Sequence, residues 1–359
     1  MKKPDPRTDL EACRSLCTRW LQGHGPHSAG EILAAIPADT KIDRYGGGGV
    51  VEALEAEVCK LLGKPAAVFM PSGTMAQQAA LRIHADRRNS RVVAWHPTCH
   101  LELHEDKAYQ RLHNLVGVNV GNPRTLMTLA DLRAIREPLA AVLWELPQRE
   151  IGGVLPAWED LKREVDFVRK QGAGAHLDGA RLWESAPFYG KPYARIAGLF
   201  DSVYVSFYKG IGGLAGSCLA GEEDFIAEAR LWRKRHGGTL FGMWPNAAAA
   251  LAGLKERLPR MPKYHEHAKR IAKALGGVEK VTAVPNPPHT NMMRLYLEVE
   301  EKTMRANACR IARERGVFTW PASQPGHVPG TRLVEFTVGD ATLGFKPAEV
   351  AEILGDLVG

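Results

Sequence analysis

Through the first two-thirds of the chain, short and almost wholly apolar runs alternate with amphipathic stretches. The runs Ala66–Met70, Val92–Trp95, Leu115–Val120, Ala140–Leu146, Ala173–Leu177 and Ser202–Phe207 have the length and character of strands buried on both faces. Between them, Thr74–Arg87, Leu129–Arg136 and Trp158–Gln171 repeat apolar residues at helical spacing, and Val50–Leu62 is a strongly helical run following Gly46–Gly49. Apolar strands alternating with helices predict an α/β fold: a mainly parallel central sheet covered on both faces.

Two regions depart from this rhythm. Residues 8–36 predict a helix, a break at Gly23-His24-Gly25-Pro26, and a second helix over Ala29–Ile36. Near residue 245 the order changes to helices over Ala247–Arg260 and His265–Leu275, a strand over Met292–Val299 and a helix over Met304–Arg315. A strand over Arg332–Val338 and a helix over Pro347–Leu357 follow. The expected organisation is an N-terminal segment (1–45), a large domain (46–250) and a smaller C-terminal α+β domain (251–359).

Composition narrows the function classes. The 359 residues are 45% hydrophobic and 24% charged, which is ordinary for a globular chain and argues against disorder. No apolar run reaches the roughly 18–20 residues that cross a bilayer, and Met1-Lys2-Lys3-Pro4-Asp5 lacks the apolar core of a signal peptide, so a cytoplasmic protein without a membrane partner is expected. Lys and Arg number 47 against 40 Asp and Glu, for a net charge of +7. The basic residues are scattered, and Arg233-Lys234-Arg235 and Arg87-Arg88 are expected to be solvated helix faces rather than a nucleic-acid patch. A modest basic excess also suits anionic ligands. The six cysteines contain no CxxC pair, so reduced structural thiols are expected and no metal site.

The chemistry lies in a constellation. Ala175-His176-Leu177-Asp178-Gly179-Ala180-Arg181 puts a carboxylate at the end of one strand, and Val203-Tyr204-Val205-Ser206-Phe207-Tyr208-Lys209-Gly210 ends another with a lysine. Ligands of open α/β sheets collect beyond the carboxyl ends of strands, so Asp178 and Lys209 should face one crevice. That pair suits pyridoxal 5′-phosphate (PLP): the lysine forms a Schiff base with the aldehyde, and the carboxylate holds the pyridinium proton. Taken singly, each motif also reads as a structural ion pair or a surface residue. Pro71-Ser72-Gly73-Thr74-Met75, between a strand and a helix, offers backbone N–H groups and hydroxyls to a phosphate, although Ser72 or Thr74 alone is equally an ordinary N-cap. Past a further strand, Trp95-His96-Pro97-Thr98-Cys99-His100 supplies an imidazole that can stack on a flat ring or act as a base.

Together with Tyr45-Gly46, Leu54-Glu55, Glu105 and Gly152-Gly153, these pieces resemble the threonine aldolase and β-eliminating lyase group of PLP enzymes, with the aspartate-aminotransferase type of fold. The resemblance runs from about Tyr45 to Gly253 and more weakly to the C-terminus. It implies Lys209 as the Schiff-base lysine, Asp178 as partner of the pyridine nitrogen, His100 stacked on the ring, and Ser72, Gly73 and Thr74 around the phosphate. It further implies Arg181 and Arg332 on the amino-acid carboxylate. The implied reaction cleaves a β-hydroxy-α-amino acid to glycine and an aldehyde, with His100 as first candidate for the base and His104 or water behind it. A homodimer or homotetramer is implied as well.

Around the implied pocket the chain departs from the family's pattern. Glu145-Leu146-Pro147-Gln148-Arg149 replaces Glu-Asn-Thr-His-Asn, and His104 replaces an aromatic residue. Arg19-Trp20-Leu21 replaces Arg-Ser-Asp, and Gly237–Phe241 lacks an arginine. These differences point to a different substrate side chain or a different bond cleaved. β-Elimination from a β-substituted amino acid is the alternative reaction, and a non-catalytic PLP-fold binding protein is the alternative class.

Overall fold

The computed structural model describes residues 9–319 and 323–359, so the Met1–Asp5 start read above lies outside the described residues. The chain forms two compact units, one of residues 28–259 and one of the described residues up to His27 together with Arg260–Gly359.

A seven-stranded sheet organises the larger unit. In chain order its strands are β1 (Ala66–Met70), β2 (Val92–Trp95), β3 (Val116–Asn119), β4 (Ala141–Glu145), β5 (Gly174–Gly179), β6 (Ser202–Ser206) and β7 (Ser217–Gly221). Their spatial order is β1-β7-β6-β5-β4-β2-β3. From β6 to β3 the strands run parallel, whereas β7 is antiparallel to both β6 and β1. Strand β7 is absent from the sequence expectation because Ser-Cys-Leu-Ala-Gly holds a single large apolar residue; it is a strand because two neighbours saturate its backbone.

The Gly73–Arg88 helix crosses β5, β6 and β7. Ser72 caps it, in extended backbone with its hydroxyl accepting from Met75 N. Ala76, Ala79 and Ala80 form its sheet-facing side, packed in one buried cluster with Val68, Tyr204, Leu219 and Ile226. Small side chains let the helix approach closely, and each fully buried Leu or Ile in such a cluster contributes about 1.5–3 kcal/mol. Glu55, from the Gly49–Leu62 helix, reaches β1 and accepts from Phe69 N at 2.8 Å.

One charge expectation needs correcting. Arg233, on the Glu223–Arg235 helix, is buried while Lys234 and Arg235 are exposed. Its guanidinium donates to the Phe69 carbonyl at 2.9 Å, and a Cβ on Gly46 would lie 2.7 Å from it. The residue thus serves packing on one flank of a helix whose other flank is solvated.

In the smaller unit, four antiparallel strands lie in the order Gln324–Pro325, Thr331–Thr337, Met292–Glu298 and Val281–Val284, with helices Met261–Leu275, Glu301–Arg315 and Pro347–Val358. The first N-terminal helix is shorter than the sequence pattern predicts and spans Leu10–Arg14. It stops because Thr18 and Arg19 both donate to Gly316 O, which carries Arg19–Trp20 into parallel pairing with Val317–Phe318. Cys13 and Cys17 pack there against Cys309 and Phe318. Among the described residues, no helix is long and apolar enough to cross a membrane.

Candidate active site

Register places Glu145, Asp178 and Tyr204 in one row across β4, β5 and β6 at the carboxyl ends of parallel strands. Register partners project to the same face of a sheet, so two carboxylates and a phenol share one rim. From β6 the chain continues through Phe207 and Tyr208 to Lys209, in a turn closed by Gly212 N donating to Lys209 O at 2.9 Å and Gly213 N to Phe207 O at 2.7 Å. Glu184 fills the space beneath, where a Cβ on Gly210 would collide with its carboxylate. The glycine after the lysine is therefore set by close approach.

The charges at this rim perturb one another. Asp178 is buried; its Oδ1 accepts from Ala180 N at 3.0 Å and its Oδ2 from Gln77 Nε2. Burial raises its carboxyl, and the Lys209 ammonium is the main opposing influence. Burial lowers the Lys209 ammonium, the Arg181 guanidinium lowers it further, and Asp178 and Glu145 work against both. Glu145 is pushed up to about 7 by burial and then by the charge of Asp178. Its Oε1 accepts from Arg149 N at 3.1 Å and its Oε2 from Gln148 Nε2 at 3.3 Å. The rim thus holds two carboxylates, one lysine and one arginine, with an amine whose neutral form is favoured beyond the ordinary.

His100 opens a short helix, His100–Leu103, and its Nδ1 lies 3.0 Å from Glu105 Oε1. Glu105 is itself buried, and its other oxygen accepts from Gln78 Nε2 at 2.9 Å. An ionised carboxylate only accepts, so Glu105 fixes the proton of a neutral His100 on Nδ1 and turns the Nε2 lone pair outward. The His104 ring stands 5.1 Å from that of His100, and its Nε2 is 3.1 Å from Glu150 Oε1, which also receives Arg149 NH1 at 2.6 Å.

Ser72, Gly73 and Thr74 sit where the sequence places them, at the start of the Gly73–Arg88 helix. The first N–H groups of a helix point out of its end without intrahelical partners. Gly73 is required sterically, because a Cβ would strike the Tyr204 hydroxyl. Ser217 Oγ donates to Ser72 O at 3.0 Å and ties this turn to β7. Arg181 begins the Leu182–Tyr189 helix, and its charge acts on Lys209, Glu145, Glu184 and Tyr208.

The larger unit therefore carries Ser72, Gly73, Thr74, His100, His104, Asp178, Arg181 and Lys209. Arg332 belongs to the smaller unit, where its guanidinium donates to Ser323 Oγ and O and lies 3.4 Å from Glu301. Sequence reasoning put Glu145 near the pocket without giving it a role, and missed Gln77, Tyr204 and Tyr208 as members of the site. Glu145 carried a readable signal, being an acidic residue at the end of an apolar run just as Asp178 is. Gln77 carried none, since one glutamine on a helix reads as any other.

The geometry matches what PLP needs. Asp178 can face a pyridine nitrogen, Lys209 can meet an aldehyde, the His100 ring can cover a flat face, and the helix start at Gly73 can receive a phosphate. Known proteins agree on the cofactor. A family model described as β-eliminating lyase matches residues 29–300. The low-specificity L-threonine aldolase 1 of Arabidopsis thaliana is 29% identical over 275 residues, 74% of this chain and 76% of that protein. A crystal structure from Listeria monocytogenes EGD-E, provisionally named an L-allo-threonine aldolase, superposes with a TM-score of 0.92 at 41% identity, covering 98% of this chain and 99% of the other. One from Exiguobacterium sp. 255-15, provisionally named an aromatic amino acid β-eliminating lyase/threonine aldolase, gives 0.92 at 38%, covering 97% and 98%. The chain belongs to the β-eliminating lyase family, a family of PLP enzymes.

Proposed function

We propose that the protein is a PLP-dependent aldolase that cleaves a threonine-like or bulkier β-hydroxy-α-amino acid to glycine and an aldehyde. The convergence of Asp178, Lys209 and an outward-facing His100 Nε2 on one crevice carries this reading, and the names of the relatives support it. PLP, when bound, supplies the electron sink that lets a bond at Cα break. Lys209 is the residue that holds its aldehyde carbon, Asp178 keeps the pyridine nitrogen protonated, and Ser72, Gly73 and Thr74 receive the phosphate.

Arg181 binds the substrate carboxylate, for which a planar guanidinium offers paired donors; Arg332 is assigned as the second carboxylate arginine. His100 takes the β-hydroxyl proton at Nε2, and Glu105 at Nδ1 stabilises the imidazolium that results. General-base assistance of this kind is worth about 10²–10⁴ in rate. His104, held by Glu150, lines the side of the site next to His100 and shapes what the substrate carries at Cβ.

β-Elimination remains a second reading because burial and Arg181 lower the Lys209 ammonium, which suits it to removing a Cα proton. Incubation with L-allo-threonine, L-threonine and L-phenylserine, and separately with serine and cysteine derivatives, decides between them. Glycine plus aldehyde is the expected outcome; pyruvate plus ammonia would replace it with elimination, and no product from any of these would overturn both. A homodimer or homotetramer in the cytoplasm completes the proposal. The exposed pair Tyr45 and Phe241, rings 5.4 Å apart, supports an interface, and light scattering on the purified protein tests it.

A further inference from the structure

A hydrogen-bonded chain leads away from Asp178 through the interior of the larger unit. Gln77 Nε2 meets Asp178 Oδ2, and Gln77 Oε1 lies 2.6 Å from His176 Nε2. His176 Nδ1 is 2.7 Å from Ser202 Oγ, Ser202 Oγ is 2.8 Å from His84 Nε2, and His84 Nδ1 is 3.2 Å from Arg88 NH1. Gln77, His176, Ser202 and His84 are all buried, and only Arg88 approaches solvent. The backbone makes room for the chain: a Cβ on Gly174 would lie 2.5 Å from His84 Nδ1.

Followed inward from Arg88, the chain runs in one direction when Ser202 Oγ donates to His176 Nδ1. A guanidinium has no acceptor, so His84 Nδ1 accepts and its proton sits on Nε2. Ser202 Oγ accepts that proton's bond and donates its own to His176 Nδ1, which places the His176 proton on Nε2. Gln77 Oε1 must then accept, leaving its NH₂ to face Asp178. Burial favours the neutral form of both rings, pushing His84 well below the ordinary imidazole range and His176 to about 3.

We propose that Gln77 is a positioning residue for Asp178, and that the His176–Ser202–His84–Arg88 chain locks its amide so that it can only donate. Asp178 is thereby kept an ionised acceptor toward the pyridine nitrogen, a role that rests on the PLP reading above. Without the lock the amide can turn over and present Oε1 to Asp178, an arrangement that suits only a protonated carboxyl. A protonated Asp178 cannot hold the pyridinium.

Two measurements test this, one of them without cofactor. In cofactor-free protein labelled with ¹⁵N-histidine, the imidazoles of His84 and His176 are expected to stay neutral with the proton on Nε2 between pH 5.5 and 8.5. Their signals should vanish in His84→Asn and His176→Asn respectively. In the second measurement, Gln77→Leu removes a hydrogen bond to a charged group, so PLP affinity, read by titrating cofactor-free protein, should fall about 10- to 100-fold. The pH midpoint of the bound cofactor's visible absorption should move with it. Ser202→Ala, a milder change that breaks the chain midway, should weaken PLP several-fold in the same direction and carries the test if Gln77→Leu does not fold. An Nδ1–H tautomer or a titrating ring at either position overturns the proposal, as do folded variants with unchanged affinity and midpoint. A wild-type protein that binds no PLP sinks the cofactor reading instead, and the tautomers then decide the polarity of the chain by themselves.

Discussion

Replacing Glu164 by Gln should stabilise the protein at pH 8 far more than at pH 5. Glu164, on the Trp158–Lys170 helix, is buried, and its Oε2 accepts from Trp144 Nε1 at 3.1 Å. Trp144 directly precedes Glu145 on β4. Burial raises the Glu164 carboxyl from 4.5 to about 7, with the Trp144 bond only partly opposing. Because the folded state holds this proton more tightly than the unfolded chain, stability is greatest below pH 4.5 and declines as pH rises, levelling off above about 7. At 1.36 kcal/mol per pH unit, the loss relative to the protonated state is about 1 kcal/mol at pH 5 and about 3 kcal/mol at pH 8. Glutamine keeps an acceptor for Trp144 and carries no charge, so the variant's advantage should grow by about 2 kcal/mol between these pH values. Urea denaturation of both proteins at pH 5 and pH 8, followed by tryptophan fluorescence, gives the difference directly. An advantage that changes by less than about 0.5 kcal/mol would show that burial does not hold this carboxyl protonated.

Further expectations concern the site and the smaller unit. Lys209→Ala should leave the fold intact by circular dichroism while abolishing turnover and the visible band of protein-bound PLP; an unchanged spectrum would remove Lys209 from the cofactor. Gly73→Ala drives a methyl into the Tyr204 hydroxyl and displaces the helix start, so PLP affinity measured by titration should drop at least tenfold; unaltered affinity would place the phosphate elsewhere. His100→Asn should lower kcat more than it raises KM, by about 10²–10⁴ for a lost base; stopped-flow measurement of aldehyde release checks it. In the smaller unit, burial pushes the Asp340 carboxyl up, but bonds from Tyr264, Arg260 and His24 at 2.5, 2.8 and 3.0 Å outweigh it and hold it below the ordinary range. That stability is present above the unfolded carboxyl's range and is lost as pH falls through the folded one. Asp340→Asn should therefore cost about 1–3 kcal/mol at pH 7 and progressively less in acid, as thermal melts at pH 7 and pH 3 would show.

Much of the larger unit is legible in the sequence because buried parallel strands must be continuously apolar. Runs such as Ala66–Met70 and Val92–Trp95 coincide with the strands found. Asp178 and Lys209 could be placed on one crevice by the rule that carboxyl strand ends converge, and Gly73 by its place between strand and helix. Local pattern also predicts the Gly49–Leu62 and Trp158–Lys170 helices to within a residue of their ends.

Tertiary structure alone decided the rest, because those features depend on partners distant in sequence. Strand β7 exists through its two neighbours, and Arg19–Trp20 joins the smaller unit by pairing with Val317–Phe318. Arg233 looks like a surface cation until Phe69 and Gly46 close over it. Register decided that Glu145 stands beside Asp178, and burial then set its proton affinity. The amino-acid sequence determined which chemical groups the site can use. Packing decided which of them share a proton, since desolvation and hydrogen-bond direction are fixed only when separate segments meet.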